Sequence, residues 1–252
     1  MKEVEDRGGI SNRTNAGDLF TLRFAWELAL ACPDGDITYE FRAGVGMTSV
    51  DFRLQTGIRT WLIECLAINP SAAAQRLEKK EQIEPGICVV SLAFSENAEN
   101  RCERPEAQLH RAYQAIWQHV WNQQAQRHAK FPARSQNSAN VLVVSIAGLW
   151  GWAPAVKKDC IEIVHGSRKV LLCPEAALQG LFDGKNAEPG AIAVRDRVDL
   201  MVFVDDVHGI YDDQEIRRSS YLLRNPASEP WVETEYPVLL PASLRNPLHS
   251  RD

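Results

Sequence analysis

Apolar and polar residues alternate through two runs over residues 49–68, Ser-Val-Asp-Phe-Arg-Leu-Gln-Thr-Gly-Ile-Arg-Thr-Trp-Leu-Ile-Glu-Cys-Leu-Ala-Ile, and the Thr56-Gly57 dipeptide between them reads as a two-residue hairpin turn. That turn sets Gln55 opposite Ile58 and Asp51 opposite Leu62. Because side chains alternate along a strand, residues 51, 53, 60, 62, 64 and 66 share one side of the ribbon. Val50, Phe52, Leu54, Trp61, Ile63 and Cys65 take the other side, which reads as buried. Ahead of the hairpin, the capping region Asn15-Ala16-Gly17-Asp18 precedes apolar residues at 19, 22, 26 and 30, a helical spacing that predicts a helix ending near Cys32-Pro33. Residues 37–43 then alternate as a strand. One helix is followed by three strands.

Farther along, residues 71–84 are rich in Ala, Gln, Lys and Glu and read as a mostly exposed helix; residues 86–94 read as a short strand or an apolar loop. Arg104-Pro105-Glu106 opens a predicted long helix reaching about Ala129, with Leu109, Tyr113, Ile116, Val120 and Gln124 on one stripe. Residues 140–147 form a nearly continuous apolar run, as expected of a strand covered on both faces. Beyond Gly148 the pattern predicts a hairpin of residues 160–164 with 169–173 and a strand at 199–204. The last roughly 40 residues hold five prolines and little periodicity, which predicts an irregular tail wrapping the surface. The expected organisation is an α/β core over residues 1–148, with a mixed central sheet flanked by helices, and a C-terminal extension over 149–252 packed on it as one unit.

Composition narrows the function classes. The 252 residues, 45% hydrophobic and 24% charged, suit an ordinary globular protein with a sizeable core. A net charge of −5 argues against a surface devoted to polyanions, although a local basic groove is compatible with it. The cysteines at 32, 65, 88, 102, 160 and 173 form no CxxC pair and read as reduced thiols. The polar N-terminus and the lack of a run of roughly 20 apolar residues predict a cytoplasmic protein with no membrane partner. No Walker A loop, GxGxxG fingerprint or GxSxG elbow is present.

The chemistry concentrates on Asp51 and Glu64. Two carboxylates converging beside an apolar strand are costly unless they bind a cation, meet basic partners or reach solvent, and a divalent metal site is the sharpest reading. The alternative is a pair of ordinary strand carboxylates paired with Arg53 and Arg59. His110, His119 and His128, nine residues apart, rotate around a helix and read as surface residues. Trp117 and Trp121, at i and i+4, read as packing against the sheet. The loop acids Asp205, Asp206, Asp212 and Asp213 read as solvated.

The order helix, three strands, helix, strand, with Asp51 on the second strand and Glu64 on the third, resembles the PD-(D/E)xK nuclease superfamily over roughly residues 18–148. The resemblance implies a restriction-endonuclease-like core in which Asp51 and Glu64 bind Mg2+, Glu27 of the first helix assists, and Gln124 or Gln123 faces the site. The Lys that normally follows the Glu by two residues is replaced by Leu66. Arg53, on the face of the carboxylates, is placed to clamp a phosphate, and Lys157 and Lys158 to touch nucleic acid. The expected activity is metal-dependent phosphodiester hydrolysis. Against it stand a catalytically inactive relative that binds nucleic acid or a protein partner, a homo-oligomer included, and a small-molecule or scaffold protein that shares only the sheet pattern.

Overall fold

The computed structural model describes residues 16–43, 48–68, 78–84, 87–92, 105–122, 128–146, 157–166, 178–206 and 218–235. Its core begins with helix α1 (Ala16–Ala31), followed by strands β1 (Asp36–Arg42), β2 (Ser49–Thr56) and β3 (Arg59–Ala67). A two-stranded ribbon, β4 (Glu78–Glu84) with β5 (Ile87–Leu92), leads to helix α2 (Pro105–Val120). A short pairing of β6 (Trp121–Asn122) with β7 (His128–Ala129) then precedes strand β8 (Ser138–Ser145). Helices α3 (Lys157–His165) and α4 (Pro189–Arg197), strands β9 (Leu200–Asp206) and β10 (Arg218–Arg224), and helix α5 (Trp231–Glu235) complete the order.

Six strands form one mixed open sheet in the order β1-β2-β3-β8-β9-β10. The first three pair antiparallel, β3, β8 and β9 run parallel, and β10 returns antiparallel. Both faces are covered, which explains why β3 and β8 read as near-continuous apolar runs. On one face Phe20, Phe24 and Leu28 of α1 and Val232 of α5 pack on Phe52, Leu54, Trp61, Ile63, Val141 and Val202. On the other, α2, α3 and α4 place Ile116, Val120, Ile163 and Val194 on Leu62, Leu142, Val144, Met201 and Phe203. The expected α/β class with a mixed sheet flanked by helices is what the chain forms, and β9 and β10 extend the same sheet.

Several local expectations are corrected. The buried stripe of α1 is 20, 24 and 28, whereas Leu22, Trp26 and Leu30 are 51%, 68% and 65% exposed. This helix is apolar nearly all round, so its pattern offers two stripes and only the sheet selects one. The hairpin turn is Gly57-Ile58, with Gly57 at φ 55°, as the first central residue of a primed turn requires. Gln55 therefore faces Thr60 and Arg53 faces Leu62. The slip from the expected register is two residues, which keeps Asp51 and Glu64 on one face, and Phe52, Leu54, Trp61, Ile63 and Cys65 on the other.

Residues 78–84 form a strand, because pairing with β5 overrides the helical preference of Glu, Lys and Gln. Residues 157–165 form a helix in place of half of a hairpin: Cys160, Ile163 and Val164 are buried at helical spacing, and a short apolar run does not distinguish the two periods. Residues 169–173, 71–77, 123 and 124 lie outside the described residues. The C-terminal 40 residues include β10 and α5 in place of an unbroken irregular tail, and α4 had no counterpart among the expected elements.

Helix α2 stops at Val120, well short of Ala129. Continued as a helix, ten more residues would carry residue 130 roughly 15 Å away. The β6–β7 pairing instead returns the chain, and Lys130 N donates to Val120 O at 3.0 Å.

Candidate active site

The β2–β3 ladder ends at Phe52↔Ile63, so the same register sets Asp51 across from Glu64. The β1–β2 ladder skips one position between Tyr39↔Phe52 and Phe41↔Val50, where Glu40 meets Asp51, and Glu40 takes φ 50°. Past this break Phe41 and Val50 join the core beneath α2, while Phe52 and Leu54 stay on the α1 side. Val50 therefore does not share the side of Phe52, because the strand rotates at Asp51. Where the strands separate, each carboxylate takes a backbone N–H of the opposite strand. Asp51 N donates to Glu64 Oε2 at 3.1 Å, and Cys65 N donates to Asp51 Oδ2 at 2.7 Å.

Glu64 is 2% exposed in the middle of a strand buried on both sides. An isolated buried carboxylate would be prohibitively costly. Two basic groups converge on its Oε1: His119 Nε2 at 2.6 Å, from the last turn of α2, and Lys130 Nζ at 2.8 Å, from the residue after β7. Lys130 Nζ also donates to Ser49 O at 3.3 Å. Burial alone would raise the Glu64 pKa, but the His119 hydrogen bond and charge, with the Lys130 ammonium, outweigh it and hold the group below its ordinary value. Asp51 behaves oppositely. Burial, reinforced by the charge of Glu64, pushes it from 3.8 up to about 6, despite the opposing Cys65 N–H, Lys130 and His119. Ionisation of Asp51 is thus opposed first by its burial and second by the neighbouring Glu64 charge.

The structure brings together Asp51 and Glu64 of the expected site. Glu27 lies on α1, against the opposite face of the sheet, and forms an ion pair with Arg23 at 3.6 Å. Arg53 shares the carboxylate face but reaches Asp36 across β1 at 3.8 Å and lies 5.2 Å over the Phe41 ring. Arg59 pairs with Glu235 at 3.2 Å and stacks on Trp231. The basic partners of the carboxylates are therefore Lys130 and His119 rather than Arg53 and Arg59. Lys158 is exposed on α3 and pairs with Glu162 at 3.9 Å, and Lys157 begins the same helix. Gln123 and Gln124 lie outside the described residues. Leu66 is half-buried and packs against the core beneath α2.

His119 and Lys130 were not legible as site residues. His119 sits three residues after Ile116 and one before Val120, both fully buried, so the stripe it flanks faces the sheet. Lys130 lies between Ala129 and Phe131, both 0% exposed, an odd place for a lysine unless its charge has a partner. That flanking burial is the one local signal. Cys65 projects to the other face, and burial pushes its thiol well above its ordinary range, which leaves it inert as a nucleophile.

A second buried acid, Asp199, has a different character. It is 4% exposed and accepts hydrogen bonds from Asn140 N at 2.8 Å and Ser228 Oγ at 2.7 Å. Asn225 N donates to its backbone carbonyl at 2.9 Å. These contacts tie the starts of β8 and β9 to the end of β10, and burial raises its pKa. Its partners are a clasp for the sheet.

Among the described residues, no group of three or more His, Cys, Asp and Glu side chains is arranged to hold a metal ion. Two carboxylates are nonetheless the complement with which proteins commonly hold Mg2+, the remaining positions going to water and substrate phosphate. Their carboxylate oxygens are the hard donors that suit a hard divalent cation. Searches against protein-family models, curated proteins and solved structures returned no match. Among the described residues no helix is long and apolar enough to cross a membrane.

Proposed function

We propose that the chain is a metal-dependent nuclease-like protein that hydrolyses phosphodiesters at Asp51 and Glu64, with Mg2+ as cofactor. The observation that carries this reading is the break between β2 and β3, where Asp51 and Glu64 face each other with Lys130 and His119 alongside. A restriction-endonuclease-like core is the fold we assign: the element order α1-β1-β2-β3-α2-β8 and the adjacency β1-β2-β3-β8 support it. When bound, the cation supplies Lewis-acid polarisation of the phosphate and a more acidic water.

Asp51 and Glu64 would hold that ion. Glu64, held ionised by its neighbours, is a ready ligand, and Asp51 gains most from the ion because its own ionisation is opposed. In the hydrolysis, a water oxygen forms a new bond to phosphorus as the bond to the leaving sugar oxygen breaks. The water's proton passes to solvent, and the leaving oxygen takes one from solvent.

One observation favours a second reading. Oε1 of Glu64 already carries both His119 and Lys130, so the Glu64 carboxylate is satisfied as it stands. A catalytically inactive relative, serving as a nucleic-acid-binding or protein-interaction module, would keep the same geometry. Cleavage separates the two. Wild type incubated with Mg2+ or Mn2+ and labelled single- and double-stranded DNA and RNA is expected to cut, and Asp51→Ala and Glu64→Ala are expected not to. Intact substrate with all three proteins would refute hydrolysis and leave the module.

A further inference from the structure

We infer that Lys130 is the phosphate-contacting cation of this site, supplied from the segment after α2, and that the strand position at Leu66 is given over to packing. The inference rests on the nuclease reading above and adds a residue to it. Charge balance favours such a group. Two carboxylates balance one divalent ion, so the phosphodiester, whose charge grows during displacement, must be offset by a basic group beside them, and Lys130 and His119 are the two that meet Glu64. Lys130 restores the excess of one positive charge. Of its three N–H donors, two are engaged, with Glu64 Oε1 at 2.8 Å and Ser49 O at 3.3 Å. Its side chain is 32% exposed, so the third donor can turn outward.

The segment is also held in place. Thr48 Oγ1 donates to Ala129 O at 2.7 Å, and Lys130 N donates to Val120 O at 3.0 Å. Phe131 is fully buried, and its carbonyl accepts from Arg197 Nη1 at 2.8 Å. The ammonium therefore stands on a braced backbone rather than at the end of a loose loop, as preorganised electrostatics demands. Other candidates serve less well. Arg53 and Arg59 are committed to Asp36 and Glu235, and Leu66 faces the core.

The test uses the full chain and separates electrostatics from folding. Lys130→Met should cut DNA at least about 100-fold more slowly than wild type, the usual loss for one preorganised donor. It should bind Mn2+ at least as tightly, roughly fivefold tighter, because a cation beside the carboxylates has gone. A merely structural role would not move the two quantities in opposite directions. Lys130→Arg should retain part of the rate, and Leu66→Lys in the Lys130→Met background should recover tenfold or more of it. Affinity for uncleaved duplex DNA in Ca2+ should fall in Lys130→Met, with a salt dependence shallower by about one phosphate contact. If wild type cuts and Lys130→Met cuts within threefold of it, the inference is overturned and the nuclease reading stands. If wild type binds Mn2+ and DNA without cutting, the DNA affinity of Lys130→Met decides, and an unchanged value overturns the inference. If wild type binds neither, both fall together.

Discussion

Replacing Asp51 by Asn should stabilise the metal-free protein at neutral pH while removing its function. In the folded chain the Asp51 carboxyl titrates at about 6 against an ordinary 3.8, chiefly because it is buried and secondly because Glu64 is charged. The folded state therefore holds that proton more tightly than the unfolded state, and ionising Asp51 opposes folding. The sign follows: wild type loses stability as pH rises from about 3.8 to about 6, and the loss is complete above that window. At about 1.4 kcal/mol per tenfold change in proton affinity, the full effect is about 3 kcal/mol, and on the order of 2 kcal/mol once solvent reaching this half-buried group is allowed for. Asn is never ionised, and its carbonyl can still accept from Cys65 N. Urea unfolding in chelator from pH 3.5 to 8 should give curves for wild type and Asp51→Asn that nearly coincide at the acid end and diverge in favour of the variant by pH 7. Saturating Mn2+ should then close or reverse the gap, since only wild type gains from binding, by about 2.7 kcal/mol at 100 times Kd. A stability difference independent of pH, or one favouring wild type at pH 7 in chelator, would refute the electrostatic description of the pair.

Glu64→Gln keeps the volume but strips the charge that His119 and Lys130 share, so it should destabilise by about 2–4 kcal/mol at pH 7. Because the Glu64 pKa is depressed on folding, its contribution is present above about 4.5 and disappears as pH falls through the folded value, so the Gln penalty should shrink in acid unfolding curves. Gly190→Ala should cost stability in thermal unfolding, since its new Cβ would lie 2.2 Å from Trp117 Cε3 where α4 crosses α2, whereas Gly184→Ala meets open space and should be nearly neutral. Asp199→Ala removes the acceptor for Asn140 N and Ser228 Oγ, and should destabilise by about 2–3 kcal/mol without changing Mn2+ affinity measured by calorimetry.

Much of the frame was legible because period and burial agree in the strands. The runs around Phe52, Ile63, Val143 and Val202 are buried in parallel or antiparallel ladders where the alternation or continuity placed them. The Asp51–Glu64 juxtaposition survived an error in the turn because a slip of two residues preserves the face of a strand. What escaped were features that only tertiary contacts decide. Leu22, Trp26 and Leu30 are as apolar as Phe20, Phe24 and Leu28, and only the sheet chooses between those stripes. The end of α2 at Val120 is set by the β6–β7 pairing, which no proline or glycine announces. That reversal brings Lys130 to a carboxylate 66 residues earlier in the chain, and His119, which read as a surface residue, meets the same oxygen. Asp51 carried a visible signal as an acid in an alternating strand. The cations that answer it were hidden by sequence distance.

Calorimetric titration of Mn2+ into wild type and Asp51→Ala, in matched chelated and dialysed samples, bears most directly on the site. Saturable binding near one ion per chain in wild type, abolished in Asp51→Ala with its fold intact by circular dichroism, is the expected result. Equal binding by both proteins, or none by wild type, would contradict a metal centre at Asp51 and Glu64.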